Sequence, residues 1–273
     1  MISTRDQLIA ALASADRRGI YKASQSAEGA GTWASLWKAL GLPAAGANPP
    51  LFSAGSGYVP GRATLGAIGQ IDSVTDPRRL VRAAMAGATV GTLIVYDRLW
   101  ACSGFGTVVT TEQTITTPGT LPAGRDPNVG ADVEAWLEVY TAPGATGATW
   151  TFKGTDAAGT TNRTWTYTHP ANAESVGQMM PLLPGGASPA ATLGCQVATS
   201  FQASVSSATA GSIGVTLLRR ILEIPLMLAN VGVVLDAIAT GLAEIPDDAC
   251  LAMMVQCTTT NTGVLQGKFC FGE

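Results

Sequence analysis

Charge is what this sequence has least of. Only 13% of its 273 residues are Asp, Glu, Lys or Arg, while 47% are hydrophobic. A soluble domain usually carries about 25% charged residues. A surface so poor in charge is easily desolvated, and the cores of protein interfaces are depleted in charge in the same way. The composition therefore predicts a protein that works by assembling. Basic clusters are also missing. Lys and Arg run no longer than the pairs Arg17-Arg18, Arg78-Arg79 and Arg219-Arg220, and the net charge is −3. A nucleic-acid surface must neutralise several phosphates, so no nucleic-acid partner is expected.

Histidine is almost absent. His169 stands alone, just before Pro170. Any Ser-His-Asp or Cys-His mechanism would have to use it, and in that turn-like setting it reads as a loop residue. The five cysteines, Cys102, Cys195, Cys250, Cys257 and Cys270, are odd in number and lack CxxC spacing. That fits neither a disulfide framework nor a zinc site. Free, buried thiols are the expectation. A hairpin of 250–257 with 264–271 would bring Cys250 and Cys270 close, which leaves a disulfide there open.

Long apolar runs are lacking too. Ile221–Ala239 comes nearest to the ~20 residues that cross a bilayer, but Glu223, Pro225, Asn230 and Asp236 interrupt it. No membrane partner is expected. The start, MISTRDQLIAALASADRR, has no clean apolar stretch of the secretory kind. No nucleophile elbow, P-loop or dinucleotide fingerprint is present. SAGSGYVPG offers Gly55, Gly57 and Gly61, at the wrong spacing. The reading is a non-enzyme with no cofactor, no metal and no small-molecule substrate.

What the sequence does have is glycine (32), proline (15) and runs rich in Val, Thr, Ile and aromatics. Such runs bounded by turn residues predict strands over 89–96, 107–117, 132–140, 148–153, 162–168, 196–207, 213–222, 250–257 and 264–271. Segment 80–86 leans towards strand, and 231–242 fits no one period. Several runs alternate, which predicts antiparallel pairing with one face to a core. The expected fold is all-β and mainly antiparallel, a β-sandwich or jelly roll over 61–273.

Residues 1–60 read differently. Ser3 can cap a helix to about Arg17. Thr32 can cap a second, WASLWKAL, in which Trp33, Leu36, Trp37 and Leu40 share one face at i, i+3, i+4 and i+7. Gly41 and Pro43 would end it. A Pro/Gly/Ala connector follows, with a boundary near Gly61. This segment is expected to be an N-terminal arm that docks on its own domain or on a neighbour.

One strand face carries carboxylates. Asp132, Glu134, Trp136, Glu138 and Tyr140 alternate to the same side of 132–140. Acid spacing beside aromatics resembles a sugar-binding or glycosidase face. A solvated or partner-facing surface is the plainer reading, and a glycosidase gathers its acids from several elements. Asp247-Asp248 after Pro246 reads as a turn, with Ca²⁺ ligation as its sharper alternative.

The strings LWKALGLPAAGANPP (36–50), GTLIVYDRL (91–99), TVVTTEQT (107–114), WLEVYTAPGAT (136–146), GVTLLRRILEIPLMLANVGVVLDA (214–237) and PDDACLAMMVQCTTTNTG (246–263) occur in this order. Together they resemble a family of tailed-bacteriophage virion structural proteins. Where family members carry a small or His-containing sequence after DRL, this chain has Trp100-Ala101-Cys102, which alters a contact. The resemblance implies a many-copy particle component made in the bacterial host cytoplasm. Its first form is a capsid decoration (cement) protein on the capsid exterior, with the major capsid protein and copies of itself as partners. A head–tail connector or tail component is the alternative. The interface residues expected on this reading are Trp33, Leu36, Trp37 and Leu40 in the arm, and Trp136, Glu138 and Tyr140 on the strand face.

Overall fold

The computed structural model describes residues 2–27, 29–54, 57–71, 73, 77–116, 119–171, 174–185 and 194–273; Gly55 and Thr117 of the sequence reading lie outside the described residues. The fold is all-β with one short N-terminal helix. In chain order the elements are α1 (Arg5–Ala13), β1 (Asp16–Lys22), β2 (Trp33–Ser35), β3 (Gly41–Leu42), β4 (Arg78–Gly87), β5 (Gly91–Gly106), β6 (Gln113–Thr114), β7 (Val133–Thr141), β8 (Ala148–Asp156), β9 (Arg163–His169), β10 (Gln178–Pro181), β11 (Leu183–Pro184), β12 (Cys195–Ala203), β13 (Ser212–Leu226), β14 (Val233–Leu235), β15 (Glu244–Ile245), β16 (Leu251–Cys257) and β17 (Leu265–Gly272).

The chain folds into two compact units. The first comprises Met1–Ala47, Gly61–Asp97 and Ile221–Glu273; the second comprises Asn48–Pro60 and Arg98–Arg220. The divisions fall inside two long strands, β5 and β13, and not at Gly61 alone.

In the first unit a sheet runs β14-β4-β17-β1-β3, with β15 also on β4. Its ladders are antiparallel. A second ladder joins β16 to β2 and to Gly91–Asp97 of β5. The apolar side chains between them, among them Leu80, Leu93, Val95, Ile224, Met253, Val255, Phe269 and Phe271, form one core. β16 is buried almost throughout, so its run LAMMVQC packs on both faces rather than one. Helix α1 is capped by Thr4, one residue after the expected cap. Thr4 and Gln7 close a capping box there. The helix ends at Ala13, and Arg17 belongs to β1, which pairs along its length with β17.

In the second unit β11-β9-β8-β12-β6 form a sheet, and β7 pairs with both β10 and β13. Leu99, Trp100, Phe105, Leu137, Trp150, Phe152, Trp165, Phe201 and Val215 fill its core. Rings pack there at a tilt: Phe105 lies 5.3 Å from Phe201, and Phe152 lies 5.5 Å from Trp165.

Two expectations fail locally, and one open alternative closes. Residues 33–40 are not a helix. Ala34 and Ser35 pair with Val255 and Met254, and the Leu36 N–H donates to the Met253 carbonyl at 2.9 Å. A two-turn helix is too short to hold by itself, whereas an extended chain completes the ladder of β16. Residues 1–60 are accordingly not a separate arm, since β1, β2 and β3 are strands of the first unit's sheets. Finally, β16 and β17 do not form a hairpin. They pair with other strands, and Cys250 and Cys270 are buried thiols.

Candidate functional site

The arm residues part company in the structure. Leu36 and Trp37 are buried in the first unit. The Trp37 indole N–H donates to the Ala47 carbonyl at 2.8 Å, and its ring lies so close to Gly46 that a Cβ there would sit 2.1 Å away. Trp33 is half-buried on β2. Leu40 alone presents a large apolar surface, at 71% exposure. The shared helical face therefore does not exist.

The strand face of β7 is likewise inside. Trp136, Glu138 and Tyr140 are all buried. Sequence alternation placed them opposite the core, but both faces of β7 are covered. Glu138 forms an ion pair with Arg98 at 2.7 Å, both side chains fully out of solvent. Arg98 Nη2 also lies 2.8 Å from the Tyr140 hydroxyl and 3.0 Å from Thr216 Oγ1. The Tyr140 hydroxyl donates to the same Glu138 oxygen at 2.7 Å. Burial holds the Tyr140 hydroxyl well above its usual pKa. Arg125 donates to the Arg98 carbonyl at 2.9 Å and to the Pro60 carbonyl. Unpaired charges would be costly in such an interior, and the network answers that cost with hydrogen bonds. Its signal in the sequence is the Asp-Arg pair inside the apolar run LIVYDRLW. Asp97 of that pair accepts the Cys250 N–H at 2.9 Å in the first unit.

Chemistry is hard to run from these groups. Glu138 is buried, and its Oε2 accepts from Arg98 and Tyr140. Glu134 accepts from the Trp136 indole at 2.8 Å and pairs with Arg220 at 3.1 Å. A carboxylate pair open to a sugar is not what β7 presents. His169 is buried and stacked on Trp150 with ring centroids 4.3 Å apart. Its Nδ1 meets the Thr146 carbonyl at 3.1 Å, and Nε2 lies 3.7 Å from Glu174. Burial pushes its pKa down, which favours the neutral ring. The thiols move the other way. Burial raises Cys102 to about 12 and Cys257 to about 11, so little thiolate forms at neutral pH. Asp247 takes the Ser73 N–H and hydroxyl at 2.9 and 2.8 Å, a contact between segments far apart in the sequence. Among the described residues no three His, Cys, Asp or Glu groups gather as metal ligands. No described helix is long and apolar enough to cross a membrane.

The surface is more informative than the interior. In the first unit, Tyr21, Leu40, Leu42 and Leu65 are exposed around β3, at one end of the sheet. Beside them lies a cavity of about 470 Å³ bordered by Arg17, Arg18, Arg62, Leu42 and Leu65. At the other end, around β14, Met227, Leu228, Val231, Val234 and Ile238 are at least half exposed. Of all these only Leu40 was nominated from sequence. The others follow from which strands end the sheet, and that depends on pairings between residues some 200 positions apart.

No protein-family model and no curated protein matches the chain. Among solved structures, that of infectious bursal disease virus Gt strain overlaps with a TM-score of 0.20 and 10% identity, over 94% of this chain and 81% of that one. The Gx strain structure gives 0.17 and 14%, over 94% and 66%. Overlaps this loose assign neither fold nor function.

Proposed function

We propose that the chain is a non-enzymatic structural component of a tailed-phage particle, in the first instance a capsid decoration protein seated on the outside of the head. Its partners on this reading are the major capsid protein and further copies of itself. The observation that carries the reading is the exposed apolar surface at β3 and β14, in a chain whose charged fraction is only 13%. Large apolar side chains left in water mark interaction sites. The order of virion-protein-like strings adds to it, and those strings build β5, β7, β13 and β16. A connector or tail position is the alternative within the particle. A carbohydrate-binding module loses its groove, because Trp136, Glu138 and Tyr140 are buried.

Deleting the gene from the phage that encodes it tests the proposal. Heads lacking the protein should release DNA at a lower temperature, and adding purified protein back should restore the wild-type profile. Identical release profiles with and without it would refute decoration.

A further inference from the structure

Inside the second unit two acceptors face each other. His169 ends β9, and its side chain is fully out of solvent, as is that of Glu174 in the turn that follows. The ring stacks on Trp150 of β8, with centroids 4.3 Å apart. Its Nδ1 meets the Thr146 carbonyl at 3.1 Å. A carbonyl only accepts, so Nδ1 carries the hydrogen. The neutral ring has no second N–H, which leaves Nε2 a bare acceptor, and it has no hydrogen-bond partner among the described residues. Glu174 Oε1 lies 3.7 Å from it. An ionised carboxylate also accepts only. Two lone pairs opposed where water does not reach would be costly. The surrounding elements bring one more titratable group to this point: Tyr167 of β9, whose hydroxyl donates to Glu174 Oε1 at 3.3 Å. On β8, Lys153 alternates to the face opposite Trp150 and pairs with Glu112, while Asp156 pairs with Arg163 of β9. On β7, Glu138 and Tyr140 turn to Arg98, and Cys195 of β12 sits by Gly154. Segment 142–147 and β10 have no titratable side chain.

We infer that His169 and Glu174 hold a single proton between them at neutral pH, and that this proton fastens the turn 174–177 to the end of β9. Burial disfavours charge on the ring, so the proton rests on the carboxyl and is donated to Nε2. The two groups then titrate as a pair. Two backbone bonds complete the turn: the Gly177 N–H donates to the Val139 carbonyl at 2.8 Å, and the Gln178 N–H to the Ser175 carbonyl at 2.9 Å. The direction of the pH effect follows from counting protons. With the turn released, the two side chains take their ordinary values, about 6.5 for His and about 4.3 for Glu. Between those values the fastened and released forms each hold one proton, and the turn is equally stable throughout. Above about 6.5 the released form loses its proton while the fastened form keeps it, so rising pH loosens the turn. A neutral His169 with no shared proton would act in the opposite sense, loosening the turn as pH falls below about 6.5. The pair is a pH-sensitive fastener inside the second unit, and it holds whether or not the chain belongs to a particle.

Glu174→Gln tests it, because a carboxamide offers Nε2 an N–H at every pH. Hydrogen exchange of the Gly177 amide, corrected for its intrinsic rate, reads how often the turn opens. In wild type its protection should fall by up to tenfold per pH unit above about 6.5. In Glu174→Gln it should stay level over the same range. His169 is the chain's one histidine, so its ring nitrogens give an unambiguous NMR signal. In wild type at pH 7, Nδ1 should be protonated and Nε2 should show the shift of a nitrogen bound to a proton or accepting one. That measurement needs no variant and stands even if Glu174→Gln fails to fold. Wild-type protection that is level above about 6.5 or that falls below it, equal pH slopes in the two proteins, or a bare-imine shift at Nε2 would each overturn the inference.

Discussion

Glu138→Gln removes one charge from the Arg98–Glu138 pair and little volume. Both side chains are fully buried, and the guanidinium left behind keeps the Tyr140 and Thr216 hydroxyls as its near partners. Removing one member of a buried pair costs about 3–5 kcal/mol, because the other charge stays uncompensated. Domains have only about 5–15 kcal/mol in total, so the variant should remain folded but markedly weakened. Arg98→Met should cost a similar amount. The double variant Arg98→Met, Glu138→Leu removes both charges and leaves only the two hydroxyls to satisfy, at about 1–3 kcal/mol each. Its cost should therefore fall well short of the two single costs added together, a strongly non-additive cycle. Urea titration followed by tryptophan fluorescence measures this, and Trp100, Trp136, Trp150 and Trp165 all lie in the same unit as the pair. A loss below about 1 kcal/mol for Glu138→Gln, or additive single effects, would refute the structural role and reopen β7 as a functional face.

Four further outcomes follow. Trp37→Ala should cost about 3–5 kcal/mol as a core truncation, while Leu40→Ser should change stability by no more than about 0.5 kcal/mol; equal effects in thermal melts would restore a shared helical face. Gly46→Ala should destabilise by about 1–3 kcal/mol, because the new methyl meets the Trp37 ring, and a neutral melting shift would contradict that packing. The five buried thiols should resist a thiol reagent in native protein and all react in denaturant; fast native labelling of Cys102 or Cys257 would be inconsistent with their raised pKa values. Lys22 is buried and donates to the Ala39 and Pro43 carbonyls at 3.1 and 2.8 Å, and burial lowers its pKa from 10.5 to about 8. Between those values the unfolded state holds more protons, so wild-type stability should rise with pH through that window, by at most about 3 kcal/mol. Lys22→Met should lack that rise, and parallel pH profiles for the two proteins would contradict it.

Much of the fold could be read from local pattern. Alternation with Val, Thr and aromatic residues located β7, β8, β9, β12 and β13 to within a few residues, because those strands carry their own period. β4 fell where Gly87 ends an apolar run. β1 was missed, since DRRGIYK reads as polar and is held in place by β17, some 250 residues away. Thr-rich 107–117 reads as a strand, but among its described residues the strand is confined to Gln113–Thr114, where the Gln113 side chain clamps both the N–H and the carbonyl of Gly106. The candidate site was less legible. An alternating strand does not announce whether its second face meets water or another layer. Glu138 shows the consequence, since its buried partner Arg98 lies forty residues earlier.

The central claim is membership of a particle, and quantitative mass spectrometry of purified virions tests it most directly. A decoration protein should be present in copies comparable in number to the major capsid protein. About six or twelve copies would move the chain to a connector or tail ring of cyclic symmetry. Absence from particles purified to constant composition would contradict the account outright.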